Sequence, residues 1–384
     1  MKYRALYVGL LAGCVACVGL WSVHRARVTA GASRLESWSP QAAANYLDHR
    51  EVWWQYWPPA QADHGTVCIS CHTVVPYAMI RTALGQTLHE AEMPATEKIM
   101  MGSVEKRVGN WSEMGPFFSD AAAESRATEA VLNAVILASY DAQRGQLRPI
   151  TRAALDEAWA LQEESGANAG GWNWQDFGLA PWESAESGYQ GAALFMLEVE
   201  NTPGGYSDEH TVQEHLRQVQ SYLRTHYASQ PLMNQLYVLW LSSKAPELLT
   251  PSDRKALLDS LQRAQNSDGG WSLSSLDPAK QLGTAQWKHR LKQKFINIVK
   301  SQQSDGYATG LVVVALEESG TNRQDKMLRG GLQWLVRHQG GDGSWQASSL
   351  NSLRDPQSDI GRFMSDAATA YAVMALEGAQ VSLK

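Results

Sequence analysis

The chain has 384 residues, 44% of them hydrophobic and 19% charged, so it can bury one large core or about two ordinary ones, and long disorder is excluded. A net charge of -6 with no basic block disfavours nucleic acid as a partner, because neutralising phosphates takes a concentrated Lys/Arg surface. The 4 cysteines, Cys14, Cys17, Cys68 and Cys71, leave no disulfide framework, no Cys-rich zinc site and no thiol nucleophile after residue 71.

Lys2 and Arg4 precede an apolar run from Ala5 to Val23, about the length needed to cross a bilayer as a helix. His24, Arg25 and Arg27 follow it. The pattern predicts an export signal kept as a single N-terminal transmembrane anchor over 1–35, holding the body in the periplasm at the cytoplasmic membrane. Two rival processing signals are present. Ala30-Gly31-Ala32 has the small residues of a signal-peptidase site, with arginines unfavourably close before it. Leu11-Ala12-Gly13-Cys14 resembles a lipoprotein cleavage box, but the residues after Cys14 stay apolar. A buried core helix fits less well, because the run is terminal and flanked by charge.

Residues 36–110 surround the sharpest motif in the chain. Ser39-Pro40 starts a helix, with an N-cap hydroxyl and proline in the first turn, and Pro58-Pro59 stops it. Its end carries Trp53, Trp54, Tyr56 and Trp57, either an apolar wall over a porphyrin or a surface packed on the neighbouring domain. Then comes Cys68-Ile69-Ser70-Cys71-His72, the C-x-x-C-H attachment signature for covalent haem c. Two thiols add to the two vinyl groups of one porphyrin, and the next histidine supplies the proximal nitrogen to iron. A structural zinc site would want a second ligand pair, and a thioredoxin-like pair would want a βαβ context. Both are missing, which leaves a chance match as the main competitor. For the distal side of the iron, Met93-Pro94 is the first candidate, about twenty residues on. His64, Met79, His89, Met100, Met101 or an open position are the alternatives. Arg81 is either a partner for a haem propionate or a solvated arginine.

From 111 to 384 the pattern is helical and repetitive. Gln339-Gly340-Gly341-Asp342-Gly343-Ser344-Trp345 and Gln265-Asn266-Ser267-Asp268-Gly269-Gly270-Trp271 are two copies of one turn. Gln162 with Gly170-Gly171-Trp172 is a looser third, and Gln302 with Asp305-Gly306-Tyr307 a partial fourth. Ala308-Thr309-Gly310-Leu311 and Ala368-Thr369-Ala370-Tyr371 open two matching helices of small and apolar residues, the composition of buried helices. Each repeat therefore reads as an amphipathic outer helix, a Gly/Trp turn and a buried inner helix.

Arg329-Gly330, Trp334-Leu335, Gln339 and Gly343-Ser344-Trp345 resemble the whole QW motif of squalene-hopene and oxidosqualene cyclases. Lys255-Ala256, Leu261, Gln265 and Gly269-Gly270-Trp271 resemble it too, except that Ser260 stands where an aromatic is usual. The resemblance covers about two-thirds of the chain. With the upstream C-x-x-C-H it also resembles a group of uncharacterised bacterial cyclase-like proteins. It implies an all-α protein, a terpenoid cyclase-like (α/α) toroid preceded by a short helical haem-c segment. It also implies that Gln265, Trp271, Gln339 and Trp345 are structural.

The family's catalytic D-x-D-D motif is absent. Its place reads Ser365-Asp366-Ala367-Ala368-Thr369, with one carboxylate that suits a helix cap. The toroid cysteines of prenyltransferases and thioester proteins are absent as well. Glu129, Asp305 and Asp366 are the carboxylates a divergent cyclase or lyase would call on. Arg126, Glu129 and Asn133 are spaced to share a helix face, and Trp182, Glu183 and Glu186 form an acidic-aromatic group. Two functions remain, beside a structural scaffold in which the haem segment is vestigial. One is a membrane-anchored electron-transfer protein whose toroid binds a hydrophobic isoprenoid or a redox partner. The other is a divergent enzyme acting on an isoprenoid lipid.

Overall fold

Ser39 opens the first helix as its sequence predicts: the side chain accepts from the Ala42 N–H and Pro40 follows. The computed structural model describes residues 38–276, 302–351 and 354–381. The N-terminal anchor expected over 1–35 lies outside the described residues. Among the described residues, no helix is long and apolar enough to cross a membrane.

The long helices alternate between two layers along the chain. An outer helix α1 (Pro40–Tyr56) is followed by an inner α2 (Val74–Thr87), and the pattern continues. The next pairs are α3 (Ala95–Gly109) and α4 (Ala122–Arg144), then α5 (Pro149–Ala160) and α6 (Ser187–Asn201). After them come α7 (His210–His226) and α8 (Leu232–Leu241), α9 (Pro251–Ala264) and α10 (Gly306–Glu318), and last α11 (Lys326–Arg337) and α12 (Phe363–Val381). A hairpin of β1 (Gln61–Ala62) and β2 (Thr66–Val67) leads into the C-x-x-C-H turn. Inner helices touch in the order α2, α4, α6, α8, α10, α12 and back to α2, so the inner layer is a closed ring.

The ring runs across the expected division at residue 110. Residues Ser39–Lys384 form one compact unit, and α2 is a full member of the inner ring. The C-x-x-C-H segment is thus built into the toroid and does not precede it.

The glutamine-tryptophan turns are structural, as the resemblance implied. Trp172, Trp271 and Trp345 each donate their indole N–H to a carbonyl near the end of their own outer helix: Ala158 (2.7 Å), Leu261 (2.8 Å) and Leu335 (2.8 Å). Each glutamine donates to its own turn and to the next outer helix. Gln162 reaches the His215 carbonyl, Gln265 that of Met327, and Gln339 that of Ser39. The last link joins the final turn to the first helix. Gly343 shows why glycine is needed there: its φ is +89°, and a Cβ would stand 2.1 Å from the Ala42 carbonyl oxygen. Two matching threonines complete the repeat. Thr309 accepts from the Trp271 amide and Thr369 from the Trp345 amide. The fourth copy is not such a turn, because Tyr307 lies within α10 and Asp305 caps that helix.

Burial also sets a pH dependence. Desolvation pushes Glu198 and Glu317 up to about 8 and Glu51 up to about 7. In an unfolded chain such groups titrate at about 4.3. Between those values the folded state binds more protons, so this contribution is full below the unfolded pKa and is lost as pH rises through 7 and 8. The melting temperature should therefore be higher at about pH 5.5 than at about pH 8.5, and Glu198→Gln should narrow the gap. Equal or greater stability at the alkaline end would contradict the assignment.

Candidate functional site

The C-x-x-C-H motif forms the turn that starts α2. Ser70, inside the motif, accepts from the amides of Thr73 and Val74, and so caps the helix one turn before it begins. The Cys68 amide donates to the Ala60 carbonyl, and the Cys68 carbonyl accepts from the Trp54 indole at 2.8 Å. These bonds tie the backbone at Cys68 to α1 and to the residue before β1. Cys68 and Cys71 are free thiols, partly open to solvent. Burial pushes both well above the ordinary thiol value, and Glu183 adds to the shift.

Aromatic rings surround His72. Phe363 stacks on the imidazole at 4.0 Å, Trp54 meets it edge-on at 5.0 Å, and Trp182 lies 5.9 Å away. Trp53 and Trp57 pack on Phe363. The tryptophan run at the end of α1 is thus the wall of this site. Desolvation, helped by Arg50 and Arg354, pushes His72 down to about 3, so the ring is neutral at physiological pH, the state a metal ligand needs.

A polar chain runs back from the ring. His72 Nδ1 lies 2.8 Å from Thr73 Oγ1, and the Thr73 hydroxyl donates to Asp366 Oδ2 at 2.9 Å. Asp366 Oδ1 accepts from Tyr46 at 2.9 Å and from Arg50 Nε at 2.7 Å. Arg50 also bonds Asp359. Asp366 is therefore no helix cap. It is a buried ion-pair partner that joins α1, α2 and α12. No local pattern marks Thr73, Tyr46 or Arg50 for this role, because their partner is about three hundred residues away.

Other candidates fall elsewhere. Met93, the expected distal ligand, lies beyond the far end of α2 from His72. Helix α2 carries the chain about 21 Å away from His72 at 1.5 Å per residue. The turn is fixed there by Glu90, whose amide bonds the Gly85 carbonyl and whose carboxylate bonds Arg81. Met93 follows three residues later, and α3 then returns towards the motif, with Ser103 bonding Val67. His89 shares the far end with Met93. Arg81 is committed to Asp48 and Glu90, so it is not available to a propionate. Glu129 pairs with Arg107 rather than Arg126, which bonds the Trp111 and Met114 carbonyls. Asp305 caps α10, accepting from the Ala308 amide at 2.9 Å. Neither amide atom of buried Asn133 has a partner among the described residues.

Beside Cys71 the ring encloses a cavity of about 20 Å³, lined by Leu132, Trp174, Trp182, Gln190 and Tyr371 among others. It has room for one water molecule and no more. Behind it, the Tyr237 hydroxyl meets those of Tyr371 (2.7 Å) and Tyr307 (3.3 Å) and accepts from Gln190 (2.8 Å). A larger cavity of about 400 Å³ lies between α5 and α7, among Arg152, Asp156, Tyr206 and Glu209, and shares no residue with the motif.

The closed ring of inner helices, the outer layer and the three glutamine-tryptophan turns define a cyclase-like (α/α) toroid. The squalene-hopene cyclase C-terminal domain family matches residues 303–383, which span α10 to α12. No curated protein matches the chain.

Proposed function

We propose that the protein is a membrane-anchored c-type haem protein whose attachment site forms part of a terpenoid cyclase-like toroid. Its role is electron transfer, binding of a hydrophobic isoprenoid or redox partner, or both, without standard cyclase activity. One observation carries this reading. Cys68, Cys71 and His72 all fall in the turn that leads into α2, with Nδ1 engaged by Thr73 and no hydrogen-bond partner for Nε2 among the described residues. The donor types are those of haem c, although no group of three or more His, Cys, Asp or Glu side chains among the described residues is arranged to hold a metal ion. The adjoining cavity of about 20 Å³ does not accommodate a porphyrin, so binding requires the pocket beside Cys71 to open. When bound, haem would supply one-electron redox chemistry. The chain's own part is to hold the imidazole, wall it with tryptophan and exclude water. The carboxylates a divergent cyclase would use are engaged: Glu129 with Arg107, Asp305 as a cap, Asp366 with Arg50.

The full chain, expressed with a cytochrome c maturation system, should stain for haem on a denaturing gel and give a c-type haemochrome spectrum. Cys68→Ala with Cys71→Ala should abolish both signals. Wild-type protein without covalent haem under these conditions ends the reading.

A further inference from the structure

We propose that Thr73 and Asp366 are positioning residues that fix the tautomer of His72, so that Nδ1 carries the proton and Nε2 presents its lone pair to the aromatic cleft. The argument follows from donors and acceptors. Asp366 Oδ1 already accepts from Tyr46 and from Arg50 Nε, which marks the group as a carboxylate with only acceptors to offer. Its Oδ2 takes the Thr73 hydroxyl proton at 2.9 Å. That proton is then spent. The Thr73 oxygen can only accept from His72, and a contact of 2.8 Å to Nδ1 is a hydrogen bond only if Nδ1 is the protonated nitrogen. Phe363 stacks on one face of the ring, and Trp54 stands perpendicular to it. Asp366 is 2% exposed and Thr73 3%, so water does not compete for these bonds. A carboxylate acting through a bridging group on the far nitrogen of a histidine orients the ring and raises its basicity as a ligand. In this chain the carboxylate comes from the last inner helix, so closing the toroid completes the histidine.

The tautomer is a property of the chain alone, whereas its effect on iron rests on the haem reading. The two are tested apart. Long-range ¹H–¹⁵N spectra of histidine-labelled protein made without the maturation system, with His72→Gln for assignment, should show His72 protonated at Nδ1. Thr73→Val, which keeps shape but removes the relay, should shift the ring towards the Nε2–H form. Thr73→Ser should restore the wild-type pattern. In holoprotein, Thr73→Val should raise the iron midpoint potential, because a less basic histidine favours the ferrous state, and Thr73→Ser should return it. Wild-type His72 found as Nε2–H, or a Thr73→Val ring unchanged from wild type, overturns the proposal. Chain that takes up no haem but shows the Nδ1–H signature and its loss in Thr73→Val supports the proposal and removes the haem reading alone.

Discussion

Trp345→Ala should destabilise the protein by about 3–5 kcal/mol, the range for truncating a large buried aromatic. The indole is completely buried, and its N–H is bonded to the Leu335 carbonyl at 2.8 Å. Its backbone amide is bonded to Thr369 of α12. The side chain also packs on α10, where a Cβ placed on Gly306 would stand 2.5 Å from that of Trp345. The truncation removes the bond to Leu335 and the buried indole surface, while the backbone bond to Thr369 remains. Trp271→Ala should cost a similar amount, since Leu261 and Thr309 repeat the same two bonds. Denaturant midpoints with unchanged slopes would measure both. A loss below about 1 kcal/mol in each would mean that the turns do not hold the ring.

The toroid was legible because its signals are local. A glutamine, a positive-φ glycine and a tryptophan serve one turn within seven residues, and the inner helices declare themselves by being apolar on every side. The same rule explains what was misread. Helix α2 is as buried as the other inner helices, but Arg81 and Thr82 broke its apolar pattern, and their partners Asp48, Glu90 and Glu97 lie outside the helix. The C-x-x-C-H motif marks residues 36–110 as a segment of their own, and no local signal shows that α2 belongs to the ring. Asp366 sits at a helix start, so a cap was the natural reading, and its true partners arrive from the other end of the chain. The Met93-Pro94 dipeptide carries no information about the helix of 14 residues between it and His72. The tyrosine cluster joins three inner helices at single atoms, which no spacing along the chain reports.

These misreadings share a physical cause. A closed ring brings its first and last elements together, so its most specific polar contacts span the whole sequence. Gln339 to Ser39 and Asp366 to Arg50 are both of this kind. Apolar periodicity predicts which faces are buried. It does not predict which buried charges meet.

Arg107→Met should destabilise the protein by about 3–5 kcal/mol, the cost of leaving a buried charge without its partner. Arg107 is 1% exposed and Glu129 7%. The guanidinium grips both carboxylate oxygens, at 2.5 and 2.9 Å, and donates a further bond to Thr66 at 2.7 Å. Without it, Glu129 must be buried as an anion or take up a proton, and Thr66 in β2 loses its donor beside the motif. The pair itself gains little over apolar packing, because desolvating two ions offsets most of their attraction. Arg107→Met with Glu129→Leu should therefore recover most of the loss, and the coupling in a double-mutant cycle should be large. Thermal and denaturant unfolding of the four proteins decide the matter. If the double variant is no more stable than Arg107→Met, the ion pair is not what Arg107 contributes. Its bond to Thr66, and hence the seating of the C-x-x-C-H turn against α3, would then be the larger part.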